Sequence, residues 1–83
     1  MTVTTTELKI LDAEVTCIVD SVESGVGYMY YGNNSGQVRK YNIATEAITT
    51  IKDLGQKILS MTLYSSTLYI GLADGTLVSV TTS

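Results

Sequence analysis

The chain repeats itself, and the repeat fixes what it can become. Thr5 to Ile18 aligns without a gap on Ile48 to Met61, at an offset of 43 residues that pairs Thr6 with Thr49, Lys9 with Lys52 and Leu11 with Leu54. Tyr28 to Ala44 aligns on Thr67 to Ser83 at an offset of 39, pairing Tyr30 with Tyr69, Gly32 with Gly71 and Gly36 with Gly75. Leu8/Ile51, Val15/Ile58, Ile18/Met61, Met29/Leu68 and Val38/Leu77 differ in identity but are apolar in both copies. A period of about 40 residues marks stacked supersecondary units that bury their apolar faces against one another. The two offsets differ by four residues, and the difference falls between Asp20 and Gly27, which reads as a loop accommodating an insertion.

Each unit reads as strands. Thr and Ser are abundant, Pro and Trp are absent, and β-branched residues run throughout, which favours the pleated conformation. Eight short strands are expected, at Thr4 to Leu11, Glu14 to Asp20, Tyr28 to Gly32, Gln37 to Ile43, Ala47 to Ile51, Lys57 to Leu63, Thr67 to Leu72 and Thr76 to Thr81. Turn-forming stretches separate them: Ser24-Gly25, Asn33-Asn34-Ser35-Gly36, Leu54-Gly55-Gln56, Ser65-Ser66 and Ala73-Asp74-Gly75. Short turns between consecutive strands give an antiparallel meander, and no window sustains the 3.6-residue period of a helix.

The residues GQVRKYNIAT, Gly36 to Thr45, resemble the third strand of a WD40-type β-propeller blade, with Tyr41-Asn42 where that family has its Trp-Asp pair. YMYYGNNSG and TLYIGLADG are similar to the second strand and hairpin of such a blade. There is no Gly-His pair and no Trp, and Val80-Thr81 stands at the aromatic-acid position of the second copy, so the resemblance implies architecture alone. It implies an all-β propeller with two four-stranded antiparallel blades per chain, the strands running from the channel to the rim.

On that reading the chain is one domain, residues 1–83, with a first repeat at 5–47 and a second at 48–83. The second repeat lacks its outer strand, and residues 2–11 of a neighbouring chain are expected to complete it by strand exchange. Ser83 matches Ala44, so the register continues from one chain into Thr2 of the next. Propellers of this kind hold about four to eight blades, so two blades per chain allow a dimer, trimer or tetramer, and the six-bladed homotrimer is favoured.

Catalysis is not expected. Without histidine and with one cysteine, Ser-His-Asp and Cys-His arrangements and His-based or Cys-cluster metal sites cannot be assembled. Asp12, Glu14, Asp20, Glu23, Glu46, Asp53 and Asp74 are scattered at predicted turns and strand ends and read as a solubilising surface. No cofactor is implied: Gly25-Val26-Gly27 is not followed by the helix or lysine of a phosphate loop. Cys17 aligns with Ser60 and reads as a small residue where strands converge, with a channel-facing thiol as the alternative. Five Lys and Arg against eight Asp and Glu, a formal net charge of -3, disfavour nucleic acid and anionic membranes as partners.

No apolar run approaches the roughly 20 residues of a membrane span. MTVTTTELK has no basic region followed by an apolar run, so no signal peptide is expected; the sequence leaves the location open, and a cytoplasmic or virion-associated one is compatible with it. Two functions fit these features. One is a structural or protein-interaction scaffold; the other is a carbohydrate-binding oligomer. For the second, Tyr28 and Tyr30 supply aromatic faces beside the polar turn residues Asn33 and Asn34. Tyr28 is the more telling of the two tyrosines, because Thr67 at the matched position shows that the fold does not require an aromatic there.

Overall fold

The computed structural model describes residues 3–8, 11 and 13–82. Within them lie seven strands and no helix: β1 (Val15–Glu23), β2 (Val26–Asn33), β3 (Gln37–Asn42), β4 (Ile48–Asp53), β5 (Ile58–Tyr64), β6 (Thr67–Leu72) and β7 (Leu77–Thr81). They form two antiparallel meanders, a four-stranded sheet β1-β2-β3-β4 and a three-stranded sheet β5-β6-β7. Among the described residues no helix is long and apolar enough to cross a membrane.

The repeat read from the sequence is a repeat of backbone geometry. A bulge interrupts β1 between Val15 and Cys17, and its counterpart interrupts β5 between Ile58 and Ser60, 43 residues on. Cys17 opposes Gly32 as Ser60 opposes Gly71. Asn34 N–H donates to Glu14 O and Ala73 N–H donates to Lys57 O, the same bond at 3.0 Å in each copy. Matched bulges in matched places bend both meanders alike.

Two expectations differ from the structure. The stretch Asp20 to Gly27 is not an inserted loop, because β1 and β2 continue pairing through Val22↔Gly27 and Glu23↔Val26. Ser21↔Tyr28 is the last rung shared with the second copy, where it corresponds to Tyr64↔Thr67. The four extra residues thus add two rungs to a hairpin. Its turn is Ser24-Gly25, with φ of 51° and 79°, the double positive φ that a tight two-residue hairpin requires. The expected strand Thr4 to Leu11 is the second difference: residues 3–8 carry no strand, and residues 9 and 10 lie outside the described residues. A strand needs an edge to pair with, and those described residues hold no place in either ladder.

The sheets pack face to face, with β5 lying against β1 and β2. Alternation along the strands sends Tyr30 and Val38 of the first sheet, and Leu68, Ile70 and Leu72 of the second, into the space between them with Ile58. Cys17, Val19, Ile51, Met61, Leu63, Val78 and Val80 close the margins of this core. Removing each large aliphatic side chain from water stabilises the fold by about 1.5–3 kcal/mol, which is the main force holding the two meanders together.

Candidate functional site

The two extra rungs of the β1–β2 hairpin carry Glu23 to a place that the second repeat has no residue to match. Glu23 faces the same side of the sheet as Tyr28, Tyr30 and Lys40, because Tyr28 pairs with Asn42 and Tyr30 with Lys40 across β2 and β3. Its Oε1 binds Lys40 Nζ at 2.8 Å, while Oε2 accepts hydrogen bonds from Tyr30 Oη and, at 3.2 Å, from Ser21 Oγ. The Lys40 ammonium lies 4.1 Å from the centroid of the Tyr28 ring and 5.5 Å from that of Tyr30, within cation–π range.

These contacts set the protonation of the group. Lys40 and then Tyr30 hold the Glu23 carboxyl below the usual carboxylate range, and Glu23 in turn raises the Lys40 ammonium. Burial, reinforced by the Glu23 carboxylate, pushes the Tyr30 phenol up. At neutral pH the cluster is one compensated ion pair with a neutral phenol beside it.

Beside the cluster a shallow cleft of about 340 Å³ opens between Tyr28, Lys40, Asn42, Ala47, Thr49 and Ile51. Asn42 shapes its rim: Oδ1 accepts from Ala44 N–H at 2.9 Å and Thr45 N–H at 3.1 Å, holding the β3–β4 turn. The lining offers an aromatic ring, an amide and a hydroxyl around an already neutralised cation. Glu23 occupies the charge of Lys40, so this ammonium is not open to a free anion.

The four residues expected to bind a ligand lie in three places. Tyr28 is half-buried and lines the cleft. Tyr30 is fully buried between the sheets, with its hydroxyl on Glu23. Asn33 is buried at the far end of β2, on the order of 16 Å from Tyr28 along an extended strand. Its Oδ1 accepts from Ser35 N–H at 3.1 Å and Gln37 N–H at 3.0 Å, and its Nδ2 donates to Gln37 Oε1 at 3.1 Å, so it builds the β2–β3 turn. Asn34 is exposed beside it.

Glu23 and Lys40 were not among the expected site residues. The signal was present in Ser24-Gly25: a two-residue hairpin turn there makes Glu23 a strand residue, and the alternation of β1 then turns it toward Tyr28. Cys17 is partly buried at the margin of the core and carries no disulfide. Comparisons with protein-family models, with curated proteins and with solved structures return no match.

Proposed function

We propose that this chain is a non-catalytic structural scaffold: a pair of propeller-type blades that closes a ring with identical copies of itself and presents the ring's faces to other macromolecules. The observation that carries this reading is the unequal strand count of two sheets that otherwise share register, bulge and turn bonding. In the first sheet β3 is covered by β4, through Arg39↔Thr50, Lys40↔Thr49 and Tyr41↔Ile48. In the second, β7 has β6 on one side and no strand among the described residues on the other. An uncovered edge of this kind is a template for another strand.

The repeat offsets name the strand that fits. Applying 43 to β4 and 39 to β3 sets Thr5, Thr6 and Glu7 of a second copy opposite Val80, Ser79 and Val78. Backbone hydrogen bonding supplies affinity in this mode of recognition, and the alternating side chains supply register. Head-to-tail contacts between identical chains close when the rotation returns to its start, and three chains would give six blades, within the range of about four to eight that propellers hold.

Sedimentation or light scattering tests this directly. The intact chain is expected at three times its 8.9 kDa mass, and a chain lacking residues 1–11 at a single-chain mass or insoluble. An intact chain that stays at 8.9 kDa at all concentrations overturns the reading. Carbohydrate binding is the second reading, supported by the cleft around Tyr28; its test is saccharide titration of the intact chain and of Tyr28→Ala.

A further inference from the structure

Two glycines at matched positions have different neighbours. A Cβ added at Gly32 would stand 2.6 Å from Ile58 Cγ2, so the Ile58 side chain is seated directly on the backbone of β2. Ile58 is wholly buried there. Gly71 lies 39 residues on, opposite Ser60 as Gly32 is opposite Cys17. It is not among the positive-φ glycines, and an added Cβ would meet only the Ser60 hydroxyl, at 3.2 Å. Neither its backbone conformation nor a packed neighbour among the described residues calls for glycine at 71.

The same asymmetry runs across the sheets. Tyr30 and Val38 are 0% exposed on the inner face of the first sheet, whereas their counterparts Tyr69 and Leu77, on the outer face of the second, are 40% and 74% exposed. Conversely, Met61 packs against the core, while its counterpart Ile18 is 57% exposed on the outer face of the first sheet. Val15, the counterpart of Ile58, is also exposed, at 37%. Each outer face thus repeats the pattern of an inner face, with no second sheet among the described residues packed on it.

We propose that the outer face of the second sheet receives the outer face of the first sheet of a second copy, the partner's Val15 seated on Gly71 as Ile58 is seated on Gly32. This rests on the ring reading and names its seam. The contact is heterologous, as ring closure requires. It also answers a polar residue: the Tyr31 hydroxyl is buried without a hydrogen-bond partner among the described residues, and the receiving face brings the hydroxyls of Thr62 and Ser79. In the lone chain Leu8 and Leu11 line a cavity of about 200 Å³ with Ile18, Met29, Tyr31 and Tyr41 on this face. The leading segment that would pair with β7 therefore leaves the face that the second copy needs.

Mass in solution tests the contact. Val15→Arg, at a position 37% exposed in the lone chain, is expected to keep its far-UV spectrum and melting cooperativity while losing the higher mass. Gly71→Val, whose side chain suits a strand and meets only a rotatable serine, is expected to keep its far-UV spectrum and melting cooperativity while losing the higher mass. Gly32→Val, by contrast, is expected to lose the fold. With an oligomeric parent chain, a Val15→Arg or Gly71→Val chain that assembles like the parent overturns this contact and leaves the ring standing. A parent chain that is monomeric removes both.

Discussion

Replacing Glu23 with alanine probes the extended hairpin most directly, because one carboxylate serves Tyr30, Lys40 and Ser21 together. Tyr30 is fully buried, so Glu23→Ala leaves its hydroxyl without an acceptor, at a cost of about 1–3 kcal/mol. The Lys40 and Glu23 side chains are 22% and 33% exposed, so the lost ion pair adds less than about 1 kcal/mol. A total of about 2–3 kcal/mol is expected by urea denaturation at fixed chain concentration, set against a stability of about 5–15 kcal/mol for ordinary domains. Tyr30→Phe removes the donor instead and leaves a carboxylate still held by Lys40, so it should cost about 1–2 kcal/mol. In the double variant the stranded hydroxyl is gone, and its cost should fall short of the sum by about 1 kcal/mol or more. Acid provides the sign test. The folded carboxyl titrates below its ordinary value of 4.5, so its contribution is present above pH 4.5 and is lost as pH falls through the lower folded value. The gap between the parent and Glu23→Ala should therefore narrow below pH 4.5. Additive single variants, or a gap that stays constant into acid, would refute the account of this cluster.

Other outcomes follow from the same structure. Ile58→Ala should cost about 2–5 kcal/mol in denaturant, because the side chain is wholly buried on Gly32, while its exposed neighbour Leu59 changed to Ala should stay within about 0.5 kcal/mol. Asn33→Ala should cost about 2 kcal/mol, since it deprives the N–H groups of Ser35 and Gln37 of their acceptor, and the loss would appear in the same assay. Ser66→Gly should raise the melting temperature by relieving a non-glycine residue held at φ 65°, worth about 1 kcal/mol. Alkaline titration should destabilise the fold from about pH 10 upward, because the phenol of Tyr30 is raised in the native state and its contribution is lost as pH rises through that raised value; Tyr30→Phe should flatten this limb.

Strand positions were legible because the turns announce themselves. The Asn33-to-Gly36 and Ala73-to-Gly75 segments each hold a glycine at φ near 90°, and strict alternation of Leu68, Ile70 and Leu72 identifies the buried side of β6. The gapless offset runs through both bulges, so it marks the two places as alike without marking either as a bulge. Asp20 and Ser21 misled, because a polar pair beside Ser24-Gly25 looks like loop, whereas on a hairpin that outruns the packed core strand residues can be polar and solvated. The site was less legible for a related reason. Glu23 and Lys40 stand seventeen residues apart and belong to different strands, so their meeting depends on hairpin length and on the Tyr30↔Lys40 register, neither of which leaves a local pattern. Asn33 was legible as a turn residue, and its burial follows from both ends of its amide being committed to that turn.

The unequal hairpins would give any ring of such chains a twofold alternation. Tyr28 and Lys40 are matched by Thr67 and Ser79 in the second copy, and Glu23 falls within the two rungs that the second copy lacks. The cleft and its ion pair therefore occur once per chain, and in a ring of such chains they would fall on alternate sheets. A ring built this way would have two kinds of interface, alike in backbone and different in polarity, where a single-blade ancestor pattern would give one. If the clefts bind a saccharide, avidity scales with the number of chains rather than of blades, and the spacing between sites is that of every second blade. Should they bind nothing, the cluster still fixes the longer hairpin through Tyr30, and changing Tyr28 alone would leave both assembly and stability nearly unmoved, since Thr67 fills the matched place in the shorter one.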